Sequence, residues 1–189
     1  MADAETVLDY WLNAVGPERW YKADPALDAD IVARFRDMVE AARCGEMGEW
    51  ILAPRPGLAL ILLLDQFPRH IWRNGPEAFA ADARAMAKAK RAMTLGHDMK
   101  IAEPERQFFY LPLMHSESQA DQDRCVRLIL TRMPQTGAAT LPHAVAHRDV
   151  IRRFGRFPYR NAALGRETTE AERAWLDAGG YHVPEVALA

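Results

Sequence analysis

The sequence predicts an all-α fold of about seven or eight helices joined by short loops, and three observations carry that expectation. Apolar residues recur at intervals of three and four over most of the chain, as the buried face of a helix requires. Glycine and proline fall at the ends of those periodic runs. No alternating apolar and polar stretch of convincing strand length breaks the pattern.

Each element follows from its own residues. Thr6, Val7, Tyr10, Trp11 and Ala14 share one face of a first helix, which Gly16-Pro17 stops. Asp28 is placed to cap a second, in which Ile31, Phe35, Met38, Val39 and Ala42 recur and which Gly45 and Gly48 end. From Gly57 to Gln66 the chain is apolar all round, the mark of an enclosed central helix, and its leucine bias over valine argues against a strand. Pro68 is expected to break it. The alanine-rich run from Glu77 to Leu95 carries Phe79, Met86 and Met93 on repeating turns, with Gly96 at its end. Pro104 suits the first turn of a short helix through Phe109. Ser116 with Gln119, or Ser118 with Asp121, can cap a helix bearing Cys125, Leu128 and Ile129 that runs until Pro134. Pro142 opens another through Phe154. Thr169 with Glu172 forms a capping box for a last short helix, closed by Gly179-Gly180.

A chain of 189 residues is long enough for a substantial core without metals or disulfides, and no Ser/Gly linker or low-complexity tract offers a boundary, so a single domain over residues 1–189 is expected. Net charge is −2, which gives no basic field for nucleic acid. The longest apolar run, Leu58 to Leu64, is far short of the roughly 20 residues of a membrane span. Two distant cysteines, Cys44 and Cys125, form no CxxC pattern, and the N-terminus lacks a secretion signal, so a soluble, cytoplasmic chain with reduced thiols is expected. The basic residues are four lysines and twenty arginines. Arginine's planar fork clamps carboxylate and phosphate in a way lysine cannot, and this directs attention to three segments.

In LDQFPRHIWR, Leu64 to Arg73, a carboxylate at the C-terminal end of a helix is disfavoured by the dipole. Asp65 is therefore either tied down by Arg69 or Arg73, or serves as the carboxylate of a pocket. In FFYLPLMHSESQADQ, Phe108 to Gln122, His115 lies beside a free helix N-terminus with Glu117 two residues on, the components of a general acid/base pair, although capping explains Ser116 and Glu117 equally well. The third segment runs from His143 to Arg166. His143 and His147 stand at i and i+4, but the same face continues through Val150, Ile151 and Phe154, which reads as core, so no metal site is assigned. Arg152, Arg153, Arg156, Arg160 and Arg166 then arrive within fifteen residues, and in FGRFPYRNAALGR, Phe154 to Arg166, Gly155 and Pro158 prevent a regular helix. These arginines are expected to converge from a turn upon carboxylates elsewhere in the fold, or upon an external anion. No nucleophile motif, phosphate-binding loop or dinucleotide fingerprint is present, and no cofactor is implied.

Together the three segments resemble a bacterial family known as domain of unknown function 924. The resemblance rests on Leu64-Asp65-Gln66-Phe67-Pro68-Arg69, on Phe109-Tyr110-Leu111-Pro112 with His115-Ser116-Glu117 and Gln122, and on Arg153-Phe154-Gly155-Arg156-Phe157-Pro158 with Arg160-Asn161 and Leu164-Gly165-Arg166. A weaker match runs through Trp11, Trp20-Tyr21, Asp24 and Asp28. It implies antiparallel helix pairs similar to the tetratricopeptide superhelix, and no known activity. His70 stands where the first motif usually has asparagine, and Tyr159 where the third usually has histidine. A tyrosine does not transfer protons near neutral pH as histidine does, which leaves His115 as the better candidate base.

Two functions from different classes fit these residues. In one, a pocket binds a small anionic ligand through Arg69, Arg153, Arg156 and Arg160, with His115 as acid/base, Glu117 or Asp65 orienting it, and Asn161 and Gln122 hydrogen-bonding the ligand. In the other, a helical-repeat module binds an acidic peptide or a C-terminal carboxylate through the same arginines. A third possibility is that the motifs form an internal salt-bridge network. Both functional readings expect the three motifs to meet.

Overall fold

In a computed structural model of the chain, residues 3–181 are described, and among them every regular element is a helix. In chain order these are α1 (Ala4–Leu8), α2 (Pro25–Cys44), α3 (Pro54–Ile61), α4 (Phe67–Ile71), α5 (Asp82–Thr94), α6 (Leu111–Met114), α7 (Gln119–Arg132), α8 (Gly137–Phe154) and α9 (Glu170–Asp177). No described helix is long and apolar enough to cross a membrane. The chain divides into two compact units, Met1–Pro112 and Leu113–Ala189.

In the first unit, α1 continues into a π-helical turn, Asp9–Val15, that Gly16 ends at a φ of 73°. Helix α2 is capped by Asp24 and not by Asp28, as the sequence had suggested: the Asp24 carboxylate accepts the amides of Ala26 and Leu27, and Pro25 takes the first helical position, where no amide is needed. Gly45 closes α2 in the left-handed region at a φ of 98°. The apolar segment is central and enclosed, with Leu58 through Phe67 all buried. Pro68 does not break it. The α3 helix widens into a second π-helical turn, Leu62–Gln66, and α4 follows with Pro68 in its first turn. A wide turn already alters the backbone ladder, so proline's missing N–H costs little at that place.

Aromatic rings fill this core. Trp11 and Phe35 lie 5.4 and 5.0 Å from Phe67 by ring centroids, and Trp20 lies 4.8 Å from Phe108. Each such buried side chain contributes on the order of 1.5–3 kcal/mol. The Trp20 indole donates to the Trp11 carbonyl, and the fully buried Tyr110 hydroxyl donates to Asp98 at 2.8 Å.

In the second unit, α7 packs on α8, with Cys125, Ile129, Ala144 and Ile151 buried. Helix α8 begins at Gly137, five residues before Pro142, which the sequence had placed at its start; the proline sits inside it. Gly137 at this start lies close against α7, where a Cβ would meet the Ile129 carbonyl at 3.2 Å. Gly155 ends α8 at a φ of 70°, and Val150, Ile151 and Phe157 cluster with Phe154 and Trp175. The capping box of Thr169 and Glu172 opens α9.

Tyr110→Phe is expected to cost about 2 kcal/mol in urea unfolding, because it strips a donor from the enclosed Asp98 carboxyl group while leaving the ring's packing in place.

Candidate functional site

The first motif lies in the first unit and the third in the second, while the second motif spans the boundary at Pro112.

In the first unit, the π-helical turn carries Asp65 and Gln66 into the interior, where they are 1% and 6% exposed. The Gln66 amide donates to Asp65 Oδ2. Arg69 donates to Asp65 at 3.3 Å, to Asp82 at 3.1 Å and to the Ala78 carbonyl at 3.0 Å. Asp65 is thus tied by Arg69 one helical turn on, and Arg69 joins two carboxylates. Asp28, freed from capping, accepts both forks of Arg73 at 2.7 Å and faces His70 Nδ1 at 2.7 Å. Burial lowers the pKa of His70 despite that carboxylate, and the ring packs edge-on to Trp11.

In the second unit, the segment after Gly155 has little regular structure beyond the 3₁₀ turn Pro158–Arg160, so side chains fix its path. Glu172, 2% exposed, accepts Arg156 Nε at 2.6 Å and Nη2 at 2.9 Å, Asn161 Nδ2 at 3.2 Å and the Thr169 amide at 2.8 Å. The Arg156 fork, followed by the cap, holds the Glu172 carboxyl down to about 2. Asn161, fully enclosed, turns its oxygen to Arg166 Nε at 3.0 Å. Arg166 also grips Glu117 with both Nη atoms, at 2.8 and 3.1 Å, and Glu117 accepts the Phe157 amide at 2.8 Å. Both Glu117 oxygens are engaged in this way. Burial raises the Glu117 carboxyl, but Arg166, the Phe157 amide and the charge of Arg160 outweigh it, leaving a net lowering.

This network seats Phe157 and Arg160 against α8. The Arg160 guanidinium, on a residue 5% exposed, lies 4.5 Å over the Phe157 ring, and His147 meets the same ring edge-on at 5.5 Å. His147 Nδ1 lies 2.9 Å from the His143 carbonyl. A carbonyl only accepts, so this nitrogen carries the proton and Nε2 presents a lone pair. Among the described residues Nε2 has no hydrogen-bond partner. Burial, followed by the charges of His115 and Arg160, drives the His147 pKa down to about 3, so the ring is neutral near pH 7. The half-buried His115 ring lies 6.4 Å from that of His147. The second face of His147 stacks on Tyr181 at 4.6 Å, whose hydroxyl pairs with His143 at 2.6 Å. Among the described residues, no group of three or more histidine, cysteine and acidic side chains is arranged to hold a metal.

The remaining candidates fall around this cluster or outside it. Gln122, wholly enclosed, donates to the Met114 and Ser116 carbonyls at 2.6 and 2.7 Å and so fixes the backbone on either side of His115. Arg153 is exposed, with its guanidinium over the Phe154 ring. One participant was hidden at the sequence level. Glu172 read as a cap alone, because nothing local shows that the same carboxylate also receives Arg156.

An all-helical protein with a carboxylate-fastened arginine turn against paired histidines is the class these observations define. Residues 7–180 match the model of the family described as bacterial protein of unknown function (DUF924), and the chain belongs to that family. It is similar in structure to the protein of unknown function ATU0120 from Agrobacterium tumefaciens, with a TM-score of 0.87 and 43% sequence identity over 93% of this chain and 97% of that one. No curated protein matches.

Two outcomes test the network. Asn161→Ala is expected to cost about 2–3 kcal/mol in chemical denaturation, since it removes one donor from the enclosed Glu172 carboxylate and leaves Arg166 Nε without its acceptor. His147, whose folded pKa lies below its ordinary 6.5, favours the folded state fully above pH 6.5 and progressively less as pH falls toward about 3. In a pH series of thermal unfolding, His147→Gln should therefore flatten the loss of Tm below pH 6.5.

Proposed function

We propose that the second unit binds a small anionic ligand at the cluster of Arg160, His147 and His115. The observation that carries this reading is the lone pair of His147: its other nitrogen is committed to the His143 carbonyl, and Nε2 has no partner among the described residues although an arginine and a second imidazole adjoin it. Arg160 supplies a positive charge, placed over Phe157 by a cation–π contact of 4.5 Å. A neutral His147 adds no charge of its own and accepts a hydrogen bond from a hydroxyl or N–H that the ligand carries beside its anionic group, and His115 exchanges a proton with it. Arg156, Arg166, Glu117, Asn161 and Gln122 hold this arrangement from behind, and preorganisation of this kind lowers the entropy lost on binding. Asp65 and Arg69 belong to the first unit's own carboxylate pairing.

The test is a thermal-shift screen of the full chain against dicarboxylates, phosphate esters and acidic peptides, repeated with Arg160→Gln and His147→Gln. A Tm rise of several degrees with one class of small anion, lost in both variants while their far-ultraviolet circular dichroism stays unchanged, is the expected result. An equal rise in Arg160→Gln protein would overturn the assignment. A response to acidic peptides alone would replace the small-molecule reading with a peptide-binding one.

A further inference from the structure

A second site lies wholly within the first unit. Glu40, Arg43, Cys44, Ala80, Ala81 and Arg84 line a groove of about 420 Å³ between the end of α2 and the start of α5. Its two arginines differ from Arg69, Arg73, Arg156 and Arg166. Neither Arg43 nor Arg84 has a hydrogen bond or ion pair among the described residues. Arg43 lies 4.7 Å over the Trp72 ring, a contact that leaves its N–H donors unspent. Arg84 stands in the first turn of α5, where the helix's positive end disfavours a cation. Gly45 makes room for it, since a Cβ at that position would sit 3.0 Å from Arg84 Nη1. Glu40 also borders the groove, but its carboxylate faces Arg36 at 3.4 Å, one turn earlier on α2.

Two guanidinium groups bordering one space repel each other, and an anion between them converts that repulsion into attraction. Ala80 and Ala81 are short, so the lining leaves volume between the two arginines. We propose that this groove binds a small anion with two oxyanion groups, held by the forks of Arg43 and Arg84 beside the two alanines. Carboxylate and phosphate share the planar or triangular oxygen geometry that such forks match.

The groove carries its own reporter. Cys44 lines it and is exposed, whereas Cys125 is buried with its thiol pushed up to about 12, which leaves it unreactive at neutral pH. The experiment measures alkylation of Cys44 by iodoacetamide in the full chain at constant ionic strength, with succinate or pyrophosphate as the probe. An occupied groove slows the reaction by the factor by which ligand outcompetes the free state, roughly tenfold near ten times Kd. Protection by succinate alone assigns the carboxylate class, and protection by pyrophosphate alone assigns the phosphate class. An Arg43→Gln/Arg84→Gln double variant should lose the protection while keeping its circular dichroism. Arg160→Gln should keep it, so this site and the histidine cluster succeed or fail separately. Absence of protection by both anions, or equal protection in the double variant, would overturn the proposal.

Discussion

The carboxylate of Glu172 governs the second unit. An enclosed negative charge is stable only when its oxygens are matched by donors, and Glu172 meets that condition with Arg156, Asn161 and the Thr169 amide. Asn161 passes the constraint to Arg166, Arg166 to Glu117, and Glu117 to the amide of Phe157. A segment with almost no regular backbone structure is thus laid along one path. Phe157 and Arg160 reach His147 because that path allows no other course.

The first unit applies the same rule twice, with Arg69 between Asp65 and Asp82 and Arg73 on Asp28. Arginine suits these places because a fork that bridges two acceptors, as Arg69 does, does work a point charge does not. The same rule separates the arginines by task. Arg69, Arg73, Arg156 and Arg166 are committed to the protein's own carboxylates, Arg160 also lies over an aromatic ring, and Arg43 and Arg84 lack ion-pair partners among the described residues.

The helical fold was legible because its signals are local. Apolar spacing marked α2 and α7, Gly45 and Gly155 marked helix ends, and Thr169 with Glu172 marked the start of α9. Where two local signals competed, the sequence misled. Asp24 and Asp28 are equally good caps in isolation, and only the presence of His70 and Arg73 opposite Asp28 decides between them. Pro68 read as a stop and Pro142 as a start because proline favours helix boundaries, and neither the widened turn before one nor the earlier helix start at Gly137 is written in nearby residues. The arginine turn was visible as a crowd of charges. Its chief acceptor was not, since sixteen residues separate Arg156 from Glu172.

The widened turn at Leu62–Gln66 has a wider effect than its length suggests. One surplus residue in a helix rotates everything after it by about 100°. Without that offset, Arg69 and His70 would emerge on different sides of the rod, away from Asp82 and Asp28. The irregularity therefore acts as a phase shift, aligning an otherwise greasy cylinder with acidic neighbours supplied by two separate helices.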